Sequence, residues 1–161
     1  MWRFVCDRCS VSIVDDNNAR FHRKVLLHMC PTNMWQDVVD FHSKFELPVP
    51  DGPSLLPEEI FKFRVEFMRE ELDELIKAHS EGNMHEVADA LVDLAYVVLG
   101  TARFMGIPFN LCWNEVQRAN MSKVRVERSE QSKRGSTFDV VKPEGWVPPN
   151  HAKYITTKGD E

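Results

Sequence analysis

Between Glu58 and Arg103 the apolar residues recur at intervals of three and four, the spacing that lays a continuous stripe along one side of an α-helix. Stepping about 100° per residue from Ile60 gathers Lys62, Glu66, Arg69, Glu70, Asp73 and Lys77 on a polar side. Ile60, Phe63, Phe67, Leu75 and Ala78 fall on the apolar side, and Glu71 and Glu74 fall among them. The next segment predicts a second helix in which Val87, Leu91, Leu94, Ala95, Val98 and Leu99 cover most of the surface, as in a buried helix. Its acids, Glu86, Asp89 and Asp93, form one narrow stripe.

Local signals bound these helices. Thr32-Asn33 caps a helix over about Met34 to Phe45, with Trp35, Val38, Val39, Phe41 and Phe45 on its apolar side and His42 at that side's edge. Leu47 to Pro53 is a Pro- and Gly-rich linker, and Pro57 suits the first turn of the helix that follows. His79-Ser80-Glu81-Gly82 makes a turn, after which Asn83 and Glu86 stand at capping-box spacing. Met105-Gly106-Ile107-Pro108 ends that helix near Phe104. A fourth helix over about Pro108 to Ser122 bears Leu111, Trp113, Val116 and Ala119, and Asn120 and Lys123 close it on one side. Residues 124–137 read as a charged, Ser-rich loop, Phe138 to Val141 as a short strand, and Lys142 to Pro149 as an extended tail. The expected fold is all-α, an antiparallel bundle of four main helices with an extended C-terminal tail, in one domain over 31–161.

Residues 1–30 form an extension ahead of it. Cys6, Cys9, His22 and His28 have the spacing of a zinc finger, but the apolar residues between them match that pattern poorly. Two other readings stand beside zinc, a flexible extension or sequence upstream of a start at Met29 or Met34. Asp15-Asp16-Asn17-Asn18 reads as a turn.

The chain has 161 residues, enough for one domain with a real core. A net charge of -5 speaks against binding a nucleic-acid polymer through bulk electrostatics. The run Leu94 to Leu99 is too short to span a bilayer, and Arg3, Asp7 and Arg8 interrupt any apolar signal core. These features predict a cytoplasmic protein with reduced cysteines. No Gly-rich phosphate loop appears, and no Ser-His-Asp or Cys-His set stands close in sequence.

The acids on the apolar faces change the picture. An unpaired buried carboxylate costs roughly several kcal/mol and tends to take up a proton. Arg64 shares the face of Glu71 and could balance one charge; the remainder call for a hard divalent cation with oxygen ligands, Mg2+ or Mn2+. A solvated acidic face accounts for Glu66, Glu70 and Asp73 but not for Glu71 and Glu74.

Glu70-Glu71-x-x-Glu74 followed by a second acidic helix resembles the all-α nucleoside triphosphate pyrophosphatases, the superfamily of MazG-like and phosphoribosyl-ATP pyrophosphohydrolase-like proteins. The segments Asp93 to Gly100, Glu115 to Lys123 and Lys142 to Trp146 are similar to the branch with dUTP-hydrolysing bacterial and phage members, over about Met34 to His151. The resemblance implies hydrolysis between the α and β phosphates of a nucleoside triphosphate, with dUTP as the leading substrate and phosphoribosyl-ATP or a non-catalytic helical module as alternatives. It implies Glu71 and Glu74 as metal ligands, Glu70 as a more peripheral acid, and Asp93 as the Asp of a second motif. That motif departs here, because Ala90 stands three residues before Asp93, so Asp89 or Glu86 must supply the missing carboxylate, or the motif is read one turn earlier as Glu86-Val87-Ala88-Asp89. Asp89 is four residues from Asp93 and can share an ion with it, which favours Asp89 as ligand. Glu70 or Glu86 then remains to orient or deprotonate the water. Asn120 and Lys123, with Arg64, are the expected phosphate contacts, and a homodimer or higher homo-oligomer is implied.

Overall fold

In the computed structural model, which describes residues 1–6, 10–26 and 33–156, the elements run β1 (Trp2–Val5), β2 (Ser12–Asp15), α1 (Asn18–Leu26), α2 (Met34–Lys44), α3 (Glu58–Ser80), α4 (Met84–Phe104), α5 (Phe109–Met121), β3 (Val124–Arg125) and β4 (Val140–Val141). They divide between two compact units, Met1–Met34 and Trp35–Glu161. The four bundle helices expected from periodicity are α2 to α5.

The first unit is more ordered than its weak periodicity predicts. β1 and β2 pair antiparallel from Trp2 opposite Asp15 to Val5 opposite Ser12. Ser10, at φ 60°, turns the chain between them. Asn18 begins α1 rather than completing a turn, and α1 sets Phe21 against the Trp2 ring at 6.1 Å. Asp15 is buried and accepts from Lys24 at 2.8 Å, the Asn17 amide at 2.9 Å and Arg20 at 3.0 Å. Lys24 foremost, then the Asn17 amide and Arg20, hold its carboxyl far below the usual carboxylate range. Of the zinc-spaced residues, Cys6 is buried and His22 is exposed with its ring edge-on to Phe21, whereas Cys9 and His28 lie outside the described residues. Met29 and Thr32 lie outside them too.

In the second unit Gly82, at φ 69°, reverses the chain between α3 and α4, a left-handed conformation that glycine adopts without Cβ strain. The Asn83 side chain accepts from the Glu86 amide at 3.4 Å, but the Asn83 amide donates to Ala78 O at 3.0 Å. The capping box is thus half formed, and the Glu86 carboxylate is not its second half. Gly106 (φ 64°) marks a close approach: a Cβ there would stand 2.7 Å from Gly52 O, so the linker lies directly on the end of α4. Ser54 N donates to Met105 O at 3.0 Å in the same crossing.

α3 buries only Arg64, Glu71 and Ala78, positions seven apart that trace one narrow line. α4 buries Ala90 and Val97 along its length and Leu99 to Ala102 at its C-terminal end. There α2 docks through Phe41 against Tyr96 (5.6 Å) and His42 against Phe104 (4.5 Å). The expectation that α4 is buried on most sides does not hold within one chain. Leu91 is 50% and Val92 64% exposed, as is Phe63 of α3 at 62%. A helical wheel marks a side as apolar without saying what covers it. Among the described residues no single helix is long and apolar enough to cross a membrane.

The C-terminal segment is held by polar contacts. β3 pairs with β4, Val124 opposite Val141 and Arg125 opposite Val140. Trp146 Nε1 donates to Ala119 O at 2.8 Å, fastening the tail to α5. Glu115, buried on α5, accepts from Lys153 Nζ at 2.9 Å, the Asn150 amide at 3.1 Å and Arg118 at 3.0 Å. Lys153 first, then the amide and Arg118, hold its carboxyl down to about 2. A carboxylate depressed on folding contributes stability above its ordinary value near 4.5, and that contribution disappears as pH falls through about 2. Glu115→Gln is therefore expected to melt lower than wild type at pH 7, with faster proteolysis of residues 146–156, and the two melting temperatures should converge by about pH 2. An equal gap at pH 7 and pH 2 would refute the latch.

Candidate metal and phosphate site

Glu71 stands at the middle of α3, on its buried line, 7% exposed. Among the described residues its side chain makes neither a hydrogen bond nor an ion pair. Its carboxyl is pushed up by burial first, then by the charges of Glu74, Asp93, Glu70 and Asp89. The charges of four of the sequence-predicted acids thus act on a fifth. Glu86 does not figure among the charges that raise it.

The surrounding acids reach water. Glu74 is exposed, which corrects its placement inside the apolar face: it lies about 60° round the helix from Glu71, off the narrow line that α3 buries. Glu70 is exposed in an open groove with Glu66, Arg69, Asp73, Glu74 and Lys77. On α4, Asp93 is exposed at the rim of a cavity, Asp89 one turn before it is exposed, and Glu86 is exposed in the first turn. As their side chains are placed, no three His, Cys, Asp or Glu among the described residues form a ready-made coordination set. The chemistry of the donors nevertheless fits a hard divalent cation. All are carboxylates, one is buried without a counter-charge, and its neighbours on the open side are free to turn.

Arg64 does not balance Glu71. It lies seven residues before it, a rise of about 10 Å, and commits its donors to α4. Nε donates to Thr101 Oγ1 at 3.1 Å and Nη2 to Val97 O at 2.9 Å, with the guanidinium 5.4 Å from both the Phe67 and Phe104 rings. Burial lowers its pKa, but arginine remains charged. It is a cation in a wall.

That wall encloses a cavity of about 570 Å³ whose lining includes Glu71 and Asp93, Arg64 and His42, and an apolar remainder rich in Phe and Tyr. Phe41 of α2 lines it. Trp35 does not: it stacks on Phe109 at 5.5 Å. His42, placed by sequence at the edge of its helix's apolar face, is only 3% exposed and lines the cavity. Burial first, then Arg103 and Arg64, lower its pKa, and its Nδ1 is buried with no hydrogen-bond partner. Gly100 admits this arrangement, because a Cβ would stand 3.2 Å from Arg64 Nη2 and 3.5 Å from His42 Nε2. A glycine inside a strongly helical run is the one sequence signal of such an approach.

Asn120 and Lys123 are brought together at the end of α5, Lys123 Nζ donating to Asn120 Oδ1 at 2.8 Å. Lys123 also lines a second cavity, of about 500 Å³, formed with residues of the β3–β4 segment.

Comparison with known proteins bears on this arrangement. The family model described as phosphoribosyl-ATP pyrophosphohydrolase matches residues 38–120, just over half of the chain. The match contains Arg64, Glu70, Glu71, Glu74, Glu86, Asp89, Asp93 and Asn120, and ends before Lys123 and the tail. A protein of Acanthamoeba polyphaga mimivirus described as uncharacterized is 41% identical over 46 residues, a stretch covering 29% of this chain and 18% of that protein. The chain thus spans far less than two thirds of that relative. With two carboxylate-bearing helices facing one another and a family match across them, the chain belongs to the phosphoribosyl-ATP pyrophosphohydrolase family, within the MazG-like nucleoside triphosphate pyrophosphatase superfamily.

Proposed function

We propose that this chain is a divalent-metal-dependent nucleotide pyrophosphohydrolase, cleaving a nucleoside triphosphate between its α and β phosphates to a monophosphate and pyrophosphate. The observation that carries the reading is Glu71: buried, without a counter-charge, acted on by the charges of four other acids, and set in the wall of a cavity large enough for a nucleoside. Glu71, Glu74, Asp89 and Asp93 would hold the ion, Mg2+ in preference to Mn2+. When bound, such an ion supplies the charge neutralisation that phosphoanhydride cleavage requires.

The chain's own groups do the rest. Glu70 or Glu86, outside the ligand set, orients a water and takes its proton. The water oxygen bonds to one phosphorus as that phosphorus parts from the bridging oxygen, which leaves on the other fragment with the electron pair. Asn120 donates a neutral hydrogen bond to phosphate oxygens, and Lys123 adds a point charge. Arg64, held by Thr101 and Val97, contributes field rather than direct contact. The aromatic wall receives the base.

The leading substrate is dUTP, on the similarity of Glu115 to Lys123 and Lys142 to Trp146 to the dUTP-hydrolysing branch. The matched family's description favours a second reading, phosphoribosyl-ATP. A cytoplasmic homodimer belongs to the same proposal: Phe63, Ile76, Leu91 and Val92 leave more apolar side-chain surface on α3 and α4 than one chain covers.

Pyrophosphate release from a panel of nucleoside triphosphates and phosphoribosyl-ATP with Mg2+ tests the activity. Turnover of dUTP is expected to lead, and a faster phosphoribosyl-ATP reaction would select the second reading. Glu71→Gln should lower turnover on the order of 100-fold or more and raise the metal-free melting temperature. The sign follows from linkage. A carboxyl raised on folding destabilises above its folded pKa, and stability recovers as pH falls toward 4.5. The variant should flatten that dependence and lose the upward shift in melting temperature that Mg2+ gives wild type.

Asp89→Asn is expected to weaken Mg2+ activation sharply. Glu86→Gln should leave the Mg2+ dependence intact, with the change confined to turnover. Magnesium titrations of both, beside their melting curves, decide the fourth ligand. A Glu86→Gln protein that no longer responds to Mg2+ would move the ligand one turn earlier.

A further inference from the structure

The acidic cluster has a counterpart at the other end of the bundle sequence. The cavity of about 500 Å³ beside α5 is lined by Lys123, Lys133, Arg134 and Lys142, with Asp139 the single acid. Asp139 is already engaged. It accepts both oxygens' worth of bonds from Arg134 Nη1 at 3.0 Å, one from Ser132 Oγ at 2.6 Å and one from the Val140 amide at 2.9 Å. Ser132 first, then that amide and Arg134, hold the Asp139 carboxyl low, so it stays an anion committed to the loop. Lys123, Lys133 and Lys142 are left without a carboxylate partner among the described residues. Three unneutralised ammonium groups around one cavity are unexpected in a chain of net charge -5.

Their convergence is built in. The β3–β4 register, Val124 opposite Val141, makes Lys123 and Lys142 the residues flanking the same rung of the ladder. Lys142 also lies 4.3 Å from the Trp146 ring centroid, and Trp146 is fastened to Ala119 O. Both lysines are thereby referenced to α5. Ser132, buried, fixes the turn that carries Lys133 and Arg134, through its bond to Asp139 and the Arg134 amide donating to its Oγ at 2.9 Å.

We propose that Lys123, Lys133 and Lys142 form a pyrophosphate subsite, receiving the terminal two phosphates of the substrate and then the pyrophosphate released. The inference rests on the proposed hydrolase reading for its role in turnover, though not for the binding itself. A lone phosphate carries fewer charges than the three cations offer, whereas a pyrophosphate group matches them. A nucleic-acid backbone is disfavoured by the net charge of the whole chain. Lys133 and Lys142 lie beyond the family match, which ends at 120, so the subsite belongs to this chain's own C-terminal segment.

The test is pyrophosphate binding by calorimetry to the full chain, with chelator present so that no divalent ion contributes. The Lys133→Gln/Lys142→Gln double variant, whose two positions are exposed and whose fold is checked by its melting curve, is compared with Lys62→Gln as a control of equal charge type. The double variant should bind pyrophosphate at least about 10-fold more weakly, with Lys62→Gln like wild type and Lys133→Arg/Lys142→Arg retaining most of the affinity. In turnover its KM should rise by a larger factor than its kcat falls. Wild-type affinity in the double variant, or an equal loss in Lys62→Gln, overturns the subsite. Tighter binding of an oligonucleotide than of pyrophosphate, lost in the same variant, overturns it in favour of a nucleic-acid surface. If no nucleotide is hydrolysed but pyrophosphate binds as expected, the hydrolase reading fails and the anion site stands.

Discussion

A carboxylate buried without a cation is the constraint around which α3 and α4 are arranged. Glu71 occupies the line along which α3 meets its neighbour, where Arg64 and Ala78 are the other buried positions. Burial and the like charges of Glu74, Asp93, Glu70 and Asp89 all disfavour a charge there. Arg64, on the same buried line, does not pair with it, because its Nε and Nη2 donate to Thr101 and Val97. This commitment has two consequences. It ties α3 to α4 independently of Glu71, so the helices stay together while the carboxylate is uncompensated. It also means that a small hard cation held by the acidic cluster, as proposed, would remove a penalty already present in the fold.

How the sequence announces this is uneven. Helix boundaries were legible to within about a residue or two, because caps, prolines and left-handed glycines act locally: Met34–Lys44, Glu58–Ser80 and Met84–Phe104 end where Gly82, Gly106 and the linker require. Helical phase likewise groups residues without tertiary knowledge, and of the acids it drew together Glu70, Glu74, Asp89 and Asp93 act on Glu71 while Glu86 does not figure. Burial was not legible. Glu71 and Glu74 share an apolar half-circle on the wheel, yet only the first lies on the packed line, and the width of that line depends on the neighbouring helix. His42 illustrates the converse error: polarity suggested an edge, while packing against Phe104 and the space left by Gly100 put it inside.

Segments without period fared worse, for a physical reason. Residues 124–153 fold on hydrogen bonds and ion pairs, not on an apolar stripe, so hydrophobic periodicity carries no trace of them. Glu115 is the clearest case. Nothing in its local sequence marks it as the acceptor that gathers Lys153, the Asn150 amide and Arg118 from up to 38 residues away. The hairpin of residues 2–15 was hidden differently, since strands of four residues are too short to establish alternation.

These two kinds of assembly suit opposite electrostatic tasks. An acidic cluster by itself repels a polyphosphate, and its sign inverts only when cations occupy it. Ammonium groups on the C-terminal segment attract the same anion whether or not metal is present. Placing the acids on helices whose phase is fixed by packing suits coordination, where oxygen positions must hold to within tenths of an ångström. Flexible lysine stems on a polar, latched segment suit an anion whose oxygens can be met in several ways. On the proposed reading a division of labour follows from that difference: the helices carry the groups that need geometry, and the polar segment carries those that need only charge.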